Sequence, residues 1–126
     1  MRNWLSDIGA RFWWLPLGAV PEVSPAELNS RIAAGEGLQL LDVRTALEWR
    51  RSRIPGALNV PITRLRQRLP SLELDRNRPV VAICLTAHRS IPAVRLLQGR
   101  GYADVTQLAG GMNAWWRAEL PTEGEA

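Results

Sequence analysis

Residues 79–101 read "PVVAICLTAHRSIPAVRLLQGRG", and this stretch decides the fold. Its first part, up to Cys84, is a short apolar run of strand length. Its second part, from about Ser90, reads as a helix closed by Gly99 or Gly101. The turn between them holds the only cysteine of the chain, Cys84, the only histidine, His88, and then Arg89 and Ser90. A thiol at the end of a buried strand, facing the start of a helix, occupies a place where anions are held.

The same punctuation recurs on both sides. Upstream, Ser24, Pro25 and Glu27 form a capping box that opens a helix running to about Ala34 and stopping at Gly35. "LQLLDV" (residues 38–43) is a strand ended by Arg44. Thr45 and Glu48 repeat the box and predict a short helix over 46–52. Pro55-Gly56 makes a turn before another short strand, and Pro61 lets a helix begin near Ile62 and end before Pro70. Downstream, "VTQLAGG" (residues 105–111) is the final strand and turn, and "MNAWWRAEL" (residues 112–120) a last helix stopped before Pro121. Strands alternating with helices predict an α/β fold, with a central parallel sheet of about five strands flanked by helices on both faces. Ligands of such sheets sit beyond the carboxyl ends of the strands, and Cys84 falls at such an end.

At 126 residues the chain is one domain. Hydrophobic residues make up 46% and charged residues 22%, which excludes a disordered chain. One cysteine excludes an intramolecular disulfide framework, and with one histidine it leaves no partners for a metal site. The lack of a disulfide framework fits a reducing compartment, and the expected location is the cytoplasm. The net charge is only +4, but all sixteen basic residues are arginine, which lifts the sequence pI to 10.9. These arginines are spread along the chain rather than focused on one face, so no nucleic-acid partner is expected.

Residues 1–21 differ from the rest, with Trp4, Trp13 and Trp14 among the six tryptophans. Asp7 and Arg11 interrupt the apolar run, which is too short to span a bilayer and makes a poor signal peptide. Trp4, Ile8, Phe12 and Leu15 recur at helical spacing and give one apolar face. Packing on protein, on this domain or on a second copy, ranks above a membrane surface for that face, because Arg2 and Arg11 are its only cations. Residues 122–126 read as a short acidic tail after the domain at 22–121.

Between Cys84 and Arg89 lie Leu85, Thr86, Ala87 and His88. A turn this short must curl over the sulfur, with its backbone N–H groups pointing inward as an anion-binding nest. The helix dipole, Arg89 and a protonated His88 all favour thiolate over thiol at Cys84. A thiolate surrounded by donors is a nucleophile able to accept and hold an anionic group.

"CLTAHRS" resembles the active-site loop of the rhodanese family, often written C-x-x-G-x-R-S. "LLDVRTALEWRRSRIPGALNVP" is similar to a second family block, and "GYADVTQLAGGMNAW" resembles its G-(Y/F)-x-x-V-x-x-L-x-G-G-x-x-x-W close. The blocks fall in the family's order over residues 22–121. The resemblance implies a single-domain sulfurtransferase of the thiosulfate:cyanide type, without a cofactor. In such enzymes a cysteine takes sulfur from a small anionic donor such as thiosulfate and carries it as a persulfide. The sulfur then passes to cyanide, a thiol or a protein acceptor. Cys84 would be the nucleophile, and the backbone of Leu85, Thr86, Ala87, His88, Arg89 and Ser90 the cradle. A sulfur-relay or binding module acting with a protein partner is the alternative. Phosphatases on a related fold place five residues between cysteine and arginine, whereas this chain has four, which suits a sulfur atom better than a phosphate. Ala87 stands where the family often has glycine, Leu85 where thiosulfate users often carry a basic residue, and Ser52-Arg53 replaces Gly-His.

Three further residues are candidates for structural support. Asp42 and Arg44 read as an ion pair holding strand to loop, and Glu48, besides capping its helix, is placed to pair with Arg44. "LAGG" at 108–111 is a turn before a helix and not a dinucleotide fingerprint, since G-x-G-x-x-G is absent. Of Trp115 and Trp116, adjacent on a helix, one should be core and the other surface.

Overall fold

The computed structural model describes Trp13, Pro16 and residues 18–125. Five strands, β1 (Glu22–Val23), β2 (Gln39–Asp42), β3 (Leu58–Asn59), β4 (Val80–Ile83) and β5 (Val105–Leu108), form one sheet in the order β1-β5-β4-β2-β3. Every pairing is parallel. The helices are α1 (Pro25–Ala33), α2 (Ala46–Arg51), α3 (Ile62–Arg68, followed by a 3-10 turn, Leu69–Ser71), α4 (Ser90–Gly99) and α5 (Gly111–Arg117). Of the two expected capping boxes, the one at Thr45 is complete and the one at Ser24 forms only its first half. Ser24 accepts from the Glu27 amide, and Thr45 and Glu48 close a reciprocal box at the start of α2.

The sheet is covered on both faces, as a parallel sheet must be. Alternation along β4 sends Val80, Ala82 and then Cys84 into a core shared with Leu65, Ala93, Val94 and Leu97, beneath α3 and α4. Val81 and Ile83 point the other way, into a core with Leu28, Met112 and Trp115, beneath α1 and α5. Leu28 and Leu65 are fully buried, so truncating either to alanine costs about 2–5 kcal/mol. Trp115 is buried and donates its indole N–H to the Pro121 carbonyl, while Trp116 is exposed.

Chain order sets the place of the site. From β2 the chain continues outward to β3, whereas from β4 it continues the opposite way to β5. The crevice between the carboxyl ends of β2 and β4 is therefore the topological switch point, where ligands of open α/β sheets bind.

Two local expectations are corrected, the end of the last helix and the start of the sheet. The last helix ends at Arg117, because Glu119 takes positive φ (56°) and the Leu120 amide turns back to the Trp115 carbonyl. The acidic tail is docked: Glu123 exchanges backbone hydrogen bonds with Arg53, and the Glu125 amide donates to the Arg50 carbonyl. A strand at Glu22–Val23 precedes the first helix, where no strand was expected. The apolar face of Trp4, Ile8, Phe12 and Leu15 lies outside the described residues. Trp13 and Val20 pack, partly buried, on the core beneath α3 and α4.

Candidate active site

Cys84 follows β4 directly and is 1% exposed. Its carbonyl accepts from the Met112 amide (2.8 Å), and that of Leu85 accepts from the Asn113 amide (3.1 Å). The first turn of α5 thus holds the strand end in place and fixes where the loop departs. Ala87 then takes φ +66°, a left-handed conformation that turns the chain back toward α4. The Ile91 amide donates to the His88 carbonyl (3.2 Å), closing the turn. Among the described residues, no backbone or side-chain acceptor takes the N–H groups of residues 85–89. Helix α4 likewise begins without a side-chain cap, so its positive dipole end is uncompensated at the loop.

The side chains of the loop diverge. Thr86 and His88 are exposed and hydrogen-bond to each other, Oγ1 to Nδ1 at 2.8 Å. Leu85 packs on the core beneath α1 and α5. Arg89 reaches across the switch point to α2, where its two terminal nitrogens donate to the two carboxylate oxygens of Glu48 at 2.8 and 3.0 Å. The expected Glu48–Arg44 pair does not form. Arg44 lies buried against Asp42 at 2.8 Å instead, because two residues along one strand end bring them together and Arg89 saturates Glu48. Arg89 beside it, helped by the Thr45 N–H and hydroxyl, lowers the Glu48 carboxyl from 4.5 to about 2. The Arg89 guanidinium is raised in turn, chiefly by Glu48.

Asp42 and Arg44 bind the surrounding elements together. The Asp42 carboxylate also accepts from the Arg44 amide, and Arg44 Nη2 donates to the Ser52 carbonyl at the end of α2. Asn59 on β3 donates to the carbonyls of both Asp42 and Arg44. Both charges of the pair are thus paired and hydrogen-bonded, as burial requires.

Ser90, Gln107 and Glu22 were not singled out from the sequence as a group. Ser90 is fully buried, with its hydroxyl 3.4 Å from Cys84 Sγ and 2.6 Å from Gln107 Oε1. Gln107, buried on β5, donates from Nε2 to Glu22 Oε2 at 2.9 Å. One signal was available: glutamine inside the apolar strand "VTQL" calls for partners. A cavity of about 450 Å3 opens beside the loop, lined by Trp13, Pro16, Ile62, Thr63, His88 and Arg89. A second, of about 400 Å3, is bounded by Glu22, Ala87, His88, Ile91 and Gln107 among others. Among the described residues, no helix is long and apolar enough to cross a membrane.

Comparison with known proteins agrees with this geometry. The family model described as "Rhodanese-like domain" matches residues 24–118. A sulfurtransferase of Allochromatium vinosum is 36% identical over 102 residues, covering 81% of this chain and 94% of its own. The rhodanese-like domain of the Anabaena protein Alr3790 superposes with a TM-score of 0.76 at 32% identity, covering 85% of this chain and 81% of that one. The human single-domain sulfurtransferase TSTD1 superposes with a TM-score of 0.68 at 31% identity, covering 79% and 97%. The chain spans about half the length or less of several other relatives, and only 18% of a Zea mays adenylyltransferase and sulfurtransferase, MOCS3-2, to which it is 34% identical over 86 residues, 64% of this chain. On its fold, its loop and these likenesses together, the chain belongs to the rhodanese-like domain family.

Proposed function

We propose that the protein is a sulfurtransferase that carries sulfane sulfur as a persulfide on Cys84. The observation that carries this reading is the setting of the thiol: a buried sulfur under a short loop whose amides at residues 85–89 have no protein acceptor among the described residues. Those amides and the uncapped start of α4 are suited to an anionic terminal sulfur, as an oxyanion hole is to oxygen.

The chemistry is a double displacement. The Cys84 thiolate attacks the outer sulfur of a small anionic donor such as thiosulfate. The new S–S bond forms as the donor's own S–S bond breaks, and sulfite leaves with the bonding pair. Cyanide, a thiol or a protein acceptor then attacks the terminal sulfur, and the electron pair of the enzyme's S–S bond returns to Cys84. No cofactor or metal enters this scheme. The cytoplasm, where thiols stay reduced, is the compartment that suits it.

The test is intact mass. Thiosulfate should add about 32 Da, one sulfur, and cyanide should remove it as thiocyanate, with both lost in Cys84→Ser. Thiocyanate production by that variant would remove Cys84 from the mechanism. The presence of such domains within longer relatives favours a second reading, a relay module that hands sulfur to one protein partner. In that case the persulfide forms, but cyanide and small thiols discharge it slowly.

A further inference from the structure

Cys84 does not stand alone beneath its loop. A line of hydrogen bonds runs from Cys84 Sγ to Ser90 Oγ (3.4 Å), from Ser90 Oγ to Gln107 Oε1 (2.6 Å), and from Gln107 Nε2 to Glu22 Oε2 (2.9 Å). It crosses from the loop through α4 and β5 to the edge strand β1.

The direction of the line is fixed from its far end. An ionised carboxylate only accepts, so Glu22 requires the amide nitrogen of Gln107. The amide oxygen must then face Ser90, and because that oxygen also only accepts, the single hydroxyl proton of Ser90 is committed to it. Ser90 is left with lone pairs toward the sulfur, and so can only accept from a Cys84 S–H. A thiolate could draw on the loop amides, but it could gain the Ser90 proton only by breaking the 2.6 Å bond to Gln107. Inverting the amide would supply Ser90 with a donor, but it would set Gln107 Oε1 against the Glu22 carboxylate.

We propose that Glu22, acting through Gln107 and Ser90, withholds the Ser90 proton from the Cys84 sulfur and so opposes the loop amides that favour its thiolate, making Glu22 and Gln107 positioning residues for the nucleophile. The functional meaning rests on Cys84 being the sulfur carrier. Of the other charged or titratable groups around the loop, Asp42 is paired with Arg44 and His88 with Thr86, while Arg89 is paired with Glu48 but also interacts electrostatically with Cys84, and it stays unchanged in every variant compared. Among the described residues, none of these hydrogen-bonds to Ser90 or Gln107. Glu22 is exposed and lies with Gln107 at the second cavity, so it can be changed without opening the core.

The experiment is the pH profile of iodoacetamide alkylation of Cys84, a readout that does not require sulfur transfer. Glu22→Gln can accept or donate, which frees Gln107 to invert and Ser90 to donate to the thiolate. The alkylation midpoint should then move down by about one pH unit, roughly tenfold more thiolate below the midpoint. Simple loss of a negative charge would act in the same direction, so the decisive comparison is a double-mutant cycle. In a Gln107→Leu background, Glu22→Gln should shift the profile less than about threefold, because the charge is still removed but the line is cut. Ser90→Ala cuts the line at a second place with little change in volume, and serves if Gln107→Leu does not fold. Equal shifts in intact and cut backgrounds, or no shift in the intact one, would overturn the proposal. Failure of thiosulfate to load Cys84, with the cycle still coupled, would instead overturn the sulfurtransferase reading and leave the line standing.

Discussion

Arg89 clasps Glu48 with both ends of its guanidinium, at 2.8 and 3.0 Å, and so ties the sulfur loop to the helix that follows the neighbouring strand. Fork-to-fork pairs of this kind are short, directional and stronger than single contacts. Glu48 carries two duties here, since Oε1 also accepts from the Thr45 amide and hydroxyl that start α2. One carboxylate therefore sets both the beginning of α2 and the position of Arg89.

Acid should weaken this clasp in a defined window. The Glu48 carboxyl falls from 4.5 to about 2, first because of Arg89 and then of Thr45, against the opposing effect of burial. A carboxyl lowered on folding binds fewer protons in the native state, so stability rises with pH across the window. The contribution is fully present above about 4.5 and is lost as pH falls toward about 2. Thermal unfolding measured from pH 6 to 2 should show the gap between wild type and Glu48→Gln closing over that range. Parallel curves would mean the pair adds nothing to stability. Because both partners are partly exposed, 150 mM or more salt should also narrow the gap.

Ala87 should improve on replacement by glycine. Its φ of +66° costs an alanine about 1–2 kcal/mol, while glycine loses roughly 0.4–1 kcal/mol more chain entropy on folding. The net gain should be about half to one kcal/mol, a rise in Tm of roughly 2–4 °C. Because backbone N–H directions are unchanged, loading of sulfur on Cys84 should persist. A fall in Tm would show that the left-handed turn is held without strain.

Much of the fold could be read from punctuation. Ser24-Pro25, Thr45 with Glu48, and Pro61 mark helix starts within a residue of where they occur, and apolar runs mark β2, β4 and β5. Strand β1 escaped because it has two residues, Glu22 and Val23, too few to show a period, and exists through its pairing with Gln107 and Leu108. The loop was legible as a strand-to-helix turn with its cysteine at the base. Its partners were not, since Arg89 to Glu48 spans 41 residues and Gln107 to Glu22 spans 85. Pairings at such separations follow from strand order, which charge and spacing in a single sequence do not encode. Glu48 was read against Arg44 for that reason: Arg44 is near in sequence, and Arg89 is near only in the fold.

Gly111 offers the sharpest test of how the loop is positioned. It has φ +61°, and a Cβ there would lie 2.5 Å from the carbonyl oxygens of both Cys84 and Leu85. Those carbonyls accept the amides of Met112 and Asn113, so the first turn of α5 sits directly on the strand end. Gly111→Ala must push the two apart, straining the backbone and lengthening both hydrogen bonds, at a cost of about 2–4 kcal/mol. The shift should carry Cys84 and the amides of the loop with it, lowering sulfur loading in the folded fraction. Gly110→Ala supplies the control. It too has positive φ, at +71°, but its Cβ would meet the Cβ of Ala114 at 2.6 Å, inside α5 and away from the loop. It should lose stability while the folded fraction loads sulfur as wild type does, read by intact mass after thiosulfate at a temperature where both variants are folded. Equal loading by the two variants would show that contact between α5 and the Cys84 carbonyl does not position the nucleophile.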